Sequence, residues 1–344
     1  MTTEAAVTSG ARRHLDRLWQ GGTNFLGCEV AILGGAMSWL SERHLVAAIS
    51  NAGGFGVIAC GSLSPAQLEA EIEATRQLTA RPFGVNLITM HPDLNELIGV
   101  CAGHNVTHVA LAGGLPPSGA IARIKDAGIK VIAFAPALAL ARRLVRSGVD
   151  ALVIEGMEAG GHIGPVSTSV LAQEILPAIT EVPVFVAGGI GRGEAILMYL
   201  EAGAAGVQMG TRFVCAAESI AHENFKKAFV RANARDAVLS VQVDPRFPVI
   251  PVRALANDAT KRFLEIQHEV IARYRADEVT MPEAQLEIER FWAGALRRAA
   301  IDGDVAGGSV MAGQSVGMVK KEQSTSEILA ELVDQAIAAF VSRG

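Results

Sequence analysis

The segment EGMEAGGHIG at residues 155–164 brings two carboxylates, an imidazole and four glycines into ten residues. Glycine is a poor helix former, so this segment is predicted to be a loop on which His162 is accessible. An imidazole titrates near neutral pH, and His162 is therefore the candidate for holding a ligand or moving a proton. Glu155 is expected to point inward or to bond the hydroxyl groups of a cofactor, whereas Glu158 is expected to be a solvated loop acid.

Glycines also follow two apolar runs further along the chain, at residues 187–190 (AGGI) and 208–211 (QMGT). Without a Cβ atom, glycine lets main-chain N–H groups approach an anion closely, and Thr211 adds a hydroxyl donor. We therefore expect these two segments to bind the phosphate of a phosphorylated cofactor. The alternative is that the glycines only permit tight turns between strand and helix.

A flat aromatic cofactor would need further close contacts, which the sequence offers at residues 34–38 (GGAMS) and at Asn86. The Asn86 amide could donate and accept toward the polar edge of such a ring, although a turn asparagine with satisfied hydrogen bonds is the alternative. His91 and His222 are candidates for the edge of the site. The other histidines and the four scattered cysteines lack ligand spacing, so neither a metal site nor a disulfide is expected.

Secondary structure must position these segments, and from Cys28 to Gly210 the chain alternates short apolar runs with amphipathic runs. The apolar runs show no polar alternation, as expected for parallel strands that are covered on both faces. Amphipathic helices are predicted between them. The eight predicted strands are residues 30–33, 56–59, 84–88, 108–112, 131–134, 151–155, 184–187 and 206–209.

Eight strands that alternate with helices predict an α/β protein with a (β/α)8 TIM barrel, and a doubly wound open sheet is the alternative. In such a barrel the ligand lies at the carboxyl ends of the strands, where all the segments above are found. After Arg212, charged helical patterns without strand alternation predict a smaller, mainly helical cap. The predicted division is a barrel at 24–216, a cap at 217–308 that includes a proline-rich linker at 243–252, and a C-terminal segment at 309–344 that returns to the barrel.

Composition excludes several classes of partner. Thirty basic residues against thirty-five acidic residues give a formal charge of −5, so no global positive field favours nucleic acid or an anionic membrane. No apolar run approaches the ~20 residues of a membrane span, and the polar N-terminus lacks the apolar core of a secretory signal. We expect a cytoplasmic protein, and its apolar composition is compatible with a homodimer.

With these motifs established, the sequence resembles the flavin-dependent family of nitronate monooxygenases (2-nitropropane dioxygenases) and flavin-type enoyl-acyl carrier protein reductase II. The similarity extends from about residue 34 to 332 and includes the blocks GGAMSWLSERHLVAAISNAGGFGVI, RPFGVNL, EGMEAGGHIG, VPVFVAGGI, GVQMGTRFV and GGSVMAGQSVGMV. It implies FMN bound in a barrel beneath a smaller helical domain, with His162 as the active-site histidine. The flavin contacts that it implies are Gly35, Ala36, Met37, Asn86, Glu155, Gly161, Ala187, Gly188, Gly189, Gln208, Met209, Gly210 and Thr211.

Two departures from the family pattern lie near the expected flavin edge and substrate face. Ala31 and Gly34 stand where the family commonly has proline and glutamine, and residues 110–114 (ALAGG) replace a Thr-Thr-Gly-Ala-Gly-like stretch. These departures leave the substrate more open than the flavin.

Within the family, the loop at 155–164 and the block DGDVAGGSVMAGQSVGMV at 302–319 resemble the enoyl reductase branch more than the monooxygenase branch. That resemblance implies NADH or NADPH as electron donor and a 2-enoyl thioester as substrate. A nitronate monooxygenase and an NAD(P)H:quinone reductase are the alternatives, and a non-catalytic flavin-binding regulator is the alternative from another class.

A basic run could serve docking of an acidic acyl carrier protein, because Lys226, Lys227, Arg231 and Arg235 are spaced near one helical face. An ordinary solvated helix face is the alternative.

Overall fold

Eight short strands form one parallel sheet in the computed structural model, which describes residues 3–244 and 251–343. A second, three-stranded sheet contains β7, β10 and β11. All strands in chain order are β1 (Ile32–Gly34), β2 (Gly56–Ala59), β3 (Phe83–Ile88), β4 (His108–Ala112), β5 (Lys130–Phe134), β6 (Ala151–Glu155), β7 (Gly161–His162), β8 (Val184–Ala187), β9 (Gly206–Met209), β10 (Ala237–Leu239) and β11 (Val252–Leu255). In the large sheet the order is β1-β9-β8-β6-β5-β4-β3-β2.

Main-chain hydrogen bonds between β1 and the start of β2 close this sheet into a barrel. The Gly34 N–H donates to Phe55 O at 2.9 Å, and the Phe55 N–H donates to Ile32 O at 3.0 Å. The predicted (β/α)8 barrel is therefore confirmed, and the open-sheet alternative is excluded. The predicted strands agree with the observed ones within two residues at each end.

Helices surround the barrel because each presents an apolar stripe to the outer face of the sheet. Helix α4 shows the local signals well: the Ser64 side chain and Gln67 form a reciprocal capping box, and Pro65 is the first helical residue. The helices are α1 (Thr3–Leu18), α2 (Gln20–Leu26), α3 (Arg43–Asn51), α4 (Pro65–Leu78), α5 (Leu94–Gly103), α6 (Ala120–Asp126), α7 (Leu138–Arg146), α8 (Thr168–Ile175), α9 (Gly193–Glu201), α10 (Thr211–Val214), α11 (Glu223–Arg231), α12 (Asp258–Arg275), α13 (Met281–Ala300) and α14 (Thr325–Val341).

Two N-terminal helices, α1 and α2, were not part of the predicted barrel. The side chains of Leu15 and Trp19 are buried in the main core, beside that of Leu26 at the end of α2. At the other end of the described chain, α14 packs closely on α9, where a Cβ atom on Gly193 would lie 2.0 Å from Leu332 O. The glycine is required by this close approach.

The region after α10 contains a small antiparallel sheet as well as helices α11, α12 and α13. Strand β11 pairs with β10 on one side and with the two-residue strand β7 on the other. The cap that was predicted to be mainly helical therefore also contains short strands. Of the predicted proline-rich linker at 243–252, residues 245–250 lie outside the described residues. The proposed domain boundaries remain predictions.

None of the helices in the described part of the chain combines the length and apolar character needed to cross a bilayer.

Candidate functional site

A cavity opens at the carboxyl ends of β1, β6, β8 and β9, where these strands turn into the loops that follow them. Its empty volume is about 740 Å³, including the part open to solvent. Ten predicted flavin contacts line it: Met37, Glu155, Gly161, Ala187, Gly188, Gly189, Gln208, Met209, Gly210 and Thr211. The structure thus brings together segments that are far apart in the sequence.

The loop after β8 requires glycine for two separate reasons. Gly188 and Gly189 adopt φ angles of +98° and +72°, which side-chain-bearing residues rarely adopt. A Cβ atom on Gly188 would also lie 2.9 Å from Thr168 Oγ1 and 3.0 Å from Gly156 O. The main chain therefore lines this side of the cavity without a side chain covering it.

The C-terminal segment supports the second predicted phosphate loop, after β9. The Gly313 N–H donates to Thr211 Oγ1 at 3.0 Å, which occupies an acceptor position of the hydroxyl and leaves its proton for another partner. Met311 and Ser315 of the same segment line the cavity. These two residues were missed as site residues, although the block that holds them contributed to the family resemblance.

Glu155 ends β6 and is enclosed at the base of the cavity. Burial raises the pKa of Glu155 from 4.5 to about 7. None of the described residues donates a hydrogen bond to its carboxyl group. Such an unsatisfied carboxyl group, facing a cavity, is suited to bind hydroxyl groups of a ligand, as expected from the sequence.

The glycine-rich loop after β6 is tied to the small sheet rather than free in solvent. Within it, Gly161 pairs with Arg253 and His162 pairs with Val252 across β7 and β11. Gly161 lines the cavity, whereas His162 is solvent-exposed and is not among the lining residues. The catalytic role of His162 therefore remains a prediction.

Glu158 differs from the solvated acid that was expected. Its Oε2 accepts hydrogen bonds from the Thr168 N–H and Thr168 Oγ1, each at 2.8 Å, at the start of α8. A carboxylate at a helix N-terminus satisfies donors that lack a partner within the helix. Glu158 thus fixes the glycine-rich loop to the barrel.

Arg253 is a second positioning residue that the sequence analysis missed. It is buried, and its Nε donates to Met157 O at 2.9 Å while its guanidinium also bonds Ala237 O. Burial lowers the pKa of Arg253. The side chain connects the loop after β6 to strand β10.

Three predicted flavin contacts, Gly35, Ala36 and Asn86, are not among the lining residues. Gly35 lies next to the cavity, since its N–H donates to Met209 O at 2.8 Å. Asn86 lies within strand β3 and not in a turn; it is buried, and its Nδ2 donates to Ala110 O at 3.1 Å. Their contact with a flavin remains a prediction.

Five apolar side chains that line the cavity belong to one packed cluster, called here the apolar wall: Leu40, Val214, Phe225, Leu296 and Met311. Phe225 comes from α11 and Leu296 from α13, so the region after the barrel contributes part of this wall. The cavity therefore has a main-chain side and an apolar side.

The basic run is not a uniform exposed helix face, and Arg235 lies beyond the end of α11. Lys226 is buried, and its Nζ donates to Ala216 O at 2.8 Å and to Glu322 Oε1 at 3.1 Å. Lys226 is thus a structural residue and not part of an exposed docking face. Lys227, Arg231 and Arg235 are exposed, and their binding to a carrier protein remains a prediction.

Comparison with known proteins identifies the family. The family described as nitronate monooxygenase matches residues 22–335. The chain belongs to the nitronate monooxygenase family.

The individual proteins that this chain resembles have different names. FabK from Thermotoga maritima has the same fold with a TM-score of 0.83 and 34% identity, over 93% of this chain and 97% of that chain. A probable nitronate monooxygenase of Staphylococcus aureus is 30% identical over 71% of this chain and 79% of its own length. A (3aS,4S,5R,7aS)-5-hydroxy-7a-methyl-1-oxo-octahydro-1H-indene-4-carboxyl-CoA dehydrogenase of Rhodococcus jostii is 35% identical over 69% of this chain, and the match spans 65% of that relative's length.

The nitronate monooxygenase family consists of FMN-dependent oxidoreductases, so the expectation of an enzyme of this type is confirmed. The residues of the cavity fit FMN. Gly188, Gly189 and Gly210 line the cavity without a side chain, so a phosphate can approach their main chain, and the Glu155 carboxyl could bond ribityl hydroxyls.

Glu155 also predicts how stability depends on pH in the flavin-free protein. Its folded pKa of about 7 exceeds the ordinary value of 4.5, so between these values the folded state binds more protons than the unfolded state. The free energy of unfolding should therefore fall by about 3 kcal/mol as pH rises from 4.5 to 7 and above. Glu155→Gln should remove this fall, whereas the exposed Glu174→Gln should keep it. Denaturant titrations from pH 5 to 8 check this, and equal slopes for both variants would contradict it.

Proposed function

We propose that this chain reduces the α,β double bond of a 2-enoyl thioester, with FMN as bound carrier and NADH or NADPH as electron donor. The observation that carries the proposal is that the apolar wall and the glycine loops line the same cavity. A small nitronate needs little apolar surface, whereas an acyl chain gains free energy from it. The likeness to FabK, an enoyl-acyl carrier protein reductase II, over nearly the whole chain supports the same assignment.

In this reaction, bound FMN supplies two-electron chemistry: the nicotinamide loses a hydride, and the β-carbon of the enoyl thioester gains one. The chain positions and shields the reactants. Main-chain N–H groups at Gly188 and Gly189, with the Thr211 hydroxyl, hold the phosphate, and Glu155 bonds hydroxyl groups beside it. The apolar wall excludes water around the acyl group. A proton is taken up at the α-carbon.

His162 is the candidate for delivering that proton, because it adjoins the cavity-lining Gly161 on β7. His162→Ala should lower turnover about 10²-fold while flavin content is kept, since general acid catalysis contributes about this factor. The exposed His44→Ala is the matched control and should have no effect. Steady-state rates and flavin absorbance measure both quantities. A variant with wild-type turnover would remove the role from His162.

An anaerobic experiment tests the proposed function. The purified flavoprotein is mixed with NADH or NADPH, and the flavin band is followed before and after addition of crotonyl-CoA. Rapid bleaching by the nicotinamide and recovery with crotonyl-CoA are the expected results. Bleaching by an alkyl nitronate but not by a nicotinamide would overturn the proposal.

The second candidate is a nitronate monooxygenase, which oxidises alkyl nitronates with O₂ and needs no nicotinamide. The Staphylococcus aureus relative supports it. The same experiment distinguishes the two activities, because only the reductase uses the nicotinamide and the thioester in sequence.

A further inference from the structure

Two large apolar side chains are exposed at the barrel mouth, on the half that does not line the flavin cavity. Met90 follows β3 and is 73% exposed, and Leu115 follows β4 and is 43% exposed. The cavity is lined from β1, β6, β8 and β9, whereas β3 and β4 belong to the other half of the barrel order. Exposed apolar groups at the mouth of a binding site often mark a contact with a ligand.

The loop that carries Leu115 is built to keep this side chain outside the core. Gly113 and Gly114 adopt φ angles of +95° and +101°, and Leu115 is followed by two prolines, which restrict its backbone to extended conformations. The base of the loop is fixed, since the Thr89 hydroxyl donates to Gly113 O at 2.7 Å. The exposure of Leu115 is therefore a property of a constrained loop.

Ile88 connects this region to the flavin cavity. A Cβ atom on Gly113 would lie 3.3 Å from Ile88 Cγ2, and one on Gly61 would lie 3.3 Å from Ile88 Cγ1. The Cβ atom on Gly61 would also lie 3.8 Å from Ser38 Oγ, and Ser38 lines the cavity. Ile88 therefore lies between the loop that carries Leu115 and a residue that lines the cavity.

The chemistry of this surface favours an alkyl chain over a nucleotide. Residues 86–92 and 110–119 contain no Asp, Glu, Lys or Arg, and His91 is their one ionisable side chain. A nicotinamide dinucleotide carries phosphates that need charged or main-chain donors. An alkyl chain needs only apolar surface.

We propose that Ile88, Met90 and Leu115 form an apolar rim that binds the alkyl chain of the acyl substrate and sets the preference for chain length. The inference rests on the proposed function, because it assumes an acyl thioester. It also assigns a role to the loop after β4, where residues 110–114 depart from the family pattern.

Chain-length dependence of the holoenzyme tests the rim. The double variant Met90→Ser/Leu115→Ser is compared with wild type for kcat/KM on 2-enoyl-CoA thioesters of four, eight and twelve carbons. Each methylene buried on the rim should improve wild-type kcat/KM up to fourfold. The double variant should lower the twelve-to-four-carbon ratio about tenfold and leave the four-carbon substrate within twofold. An unchanged ratio, or an effect on KM for the nicotinamide instead, would overturn the proposal.

A matched control and a binding measurement complete the test. Val170→Ser/Met198→Ser changes two side chains of similar exposure on the outer helices α8 and α9 and should leave the ratio unchanged. Calorimetric binding of saturated dodecanoyl-CoA and butanoyl-CoA needs no turnover, so it tests the rim even if no enoyl thioester is reduced. The proposal is supported if wild type binds dodecanoyl-CoA more tightly than butanoyl-CoA and the double variant loses this difference in affinity. Equal affinity of wild type for both ligands overturns it.

Discussion

Gly188→Ala is expected to weaken FMN binding at least 100-fold and to destabilise the fold. The new methyl group meets Thr168 Oγ1 at 2.9 Å and Gly156 O at 3.0 Å, and the φ of +98° is unfavourable for alanine. Relief of this clash must move the main chain that is predicted to bind the phosphate. Flavin fluorescence titration of the flavin-free variant measures the loss, which corresponds to about 2.7 kcal/mol.

Gly203→Ala is the matched control for this prediction. Gly203 has a similar φ of +103°, but a Cβ atom there would meet nothing within 4 Å. The control variant should lose about 1–2 kcal/mol of stability from backbone strain and keep wild-type FMN affinity. Equal FMN affinity in both variants would show that the loop after β8 does not hold the phosphate.

Arg212→Met is expected to lower the free energy of unfolding by about 3 kcal/mol, because Arg212 is 5% exposed and bonds three acceptors of the C-terminal segment. Its guanidinium donates to Met318 O at 3.2 Å, to Gln323 Oε1 at 3.1 Å and to Glu331 Oε2 at 2.8 Å. Methionine fills similar volume but leaves these acceptors without their donor. Urea denaturation of the flavin-free protein at pH 7 measures the effect.

The loss of unfolding free energy caused by Arg212→Met should be smaller at acidic pH. Burial alone would raise the pKa of Glu331, but the Gln323 hydrogen bond and the Arg212 charge outweigh it and lower that pKa. Because the pKa of Glu331 is lower in the folded protein than in the unfolded chain, its carboxylate stabilises the fold at pH values above the unfolded pKa. This stabilisation is lost as the pH falls through the folded pKa. The difference between wild type and variant should therefore be smaller at pH 4 than at pH 7.

Arg192→Met provides the control, since Arg192 is 53% exposed and pairs with Glu194 on the surface. Exposed ion pairs contribute at most about 1 kcal/mol. A comparable loss in both variants would contradict the anchoring role of Arg212.

The barrel was predictable because its signals are local and repeated. Each strand is a short apolar run, and helix starts such as Ser64-Pro65 are marked by capping residues. The glycine loops could be placed because strand ends define the mouth of a barrel. The site residues on those loops therefore came together as expected.

The remaining features depend on contacts between distant segments. Strand β7 has two residues in a glycine-rich loop, and its partner β11 lies about ninety positions away, so no periodicity reveals it. From the sequence, Lys226 is predicted to lie on the surface. In the structure it is buried, and its Nζ donates to Ala216 O and to Glu322 Oε1. The supporting roles of Glu158 and Arg253 were missed for the same reason.

The pairing of β7 with β11 couples the loop that carries His162 to the small sheet. Besides the strand pairs, the Ile163 N–H donates to Pro251 O at 3.0 Å. Any displacement of the small sheet away from the barrel would therefore also move the imidazole of His162. The loop that carries His162, the predicted proton donor, should thus move together with the small sheet, and deuterium uptake at the amides of 161–163 should report on that motion.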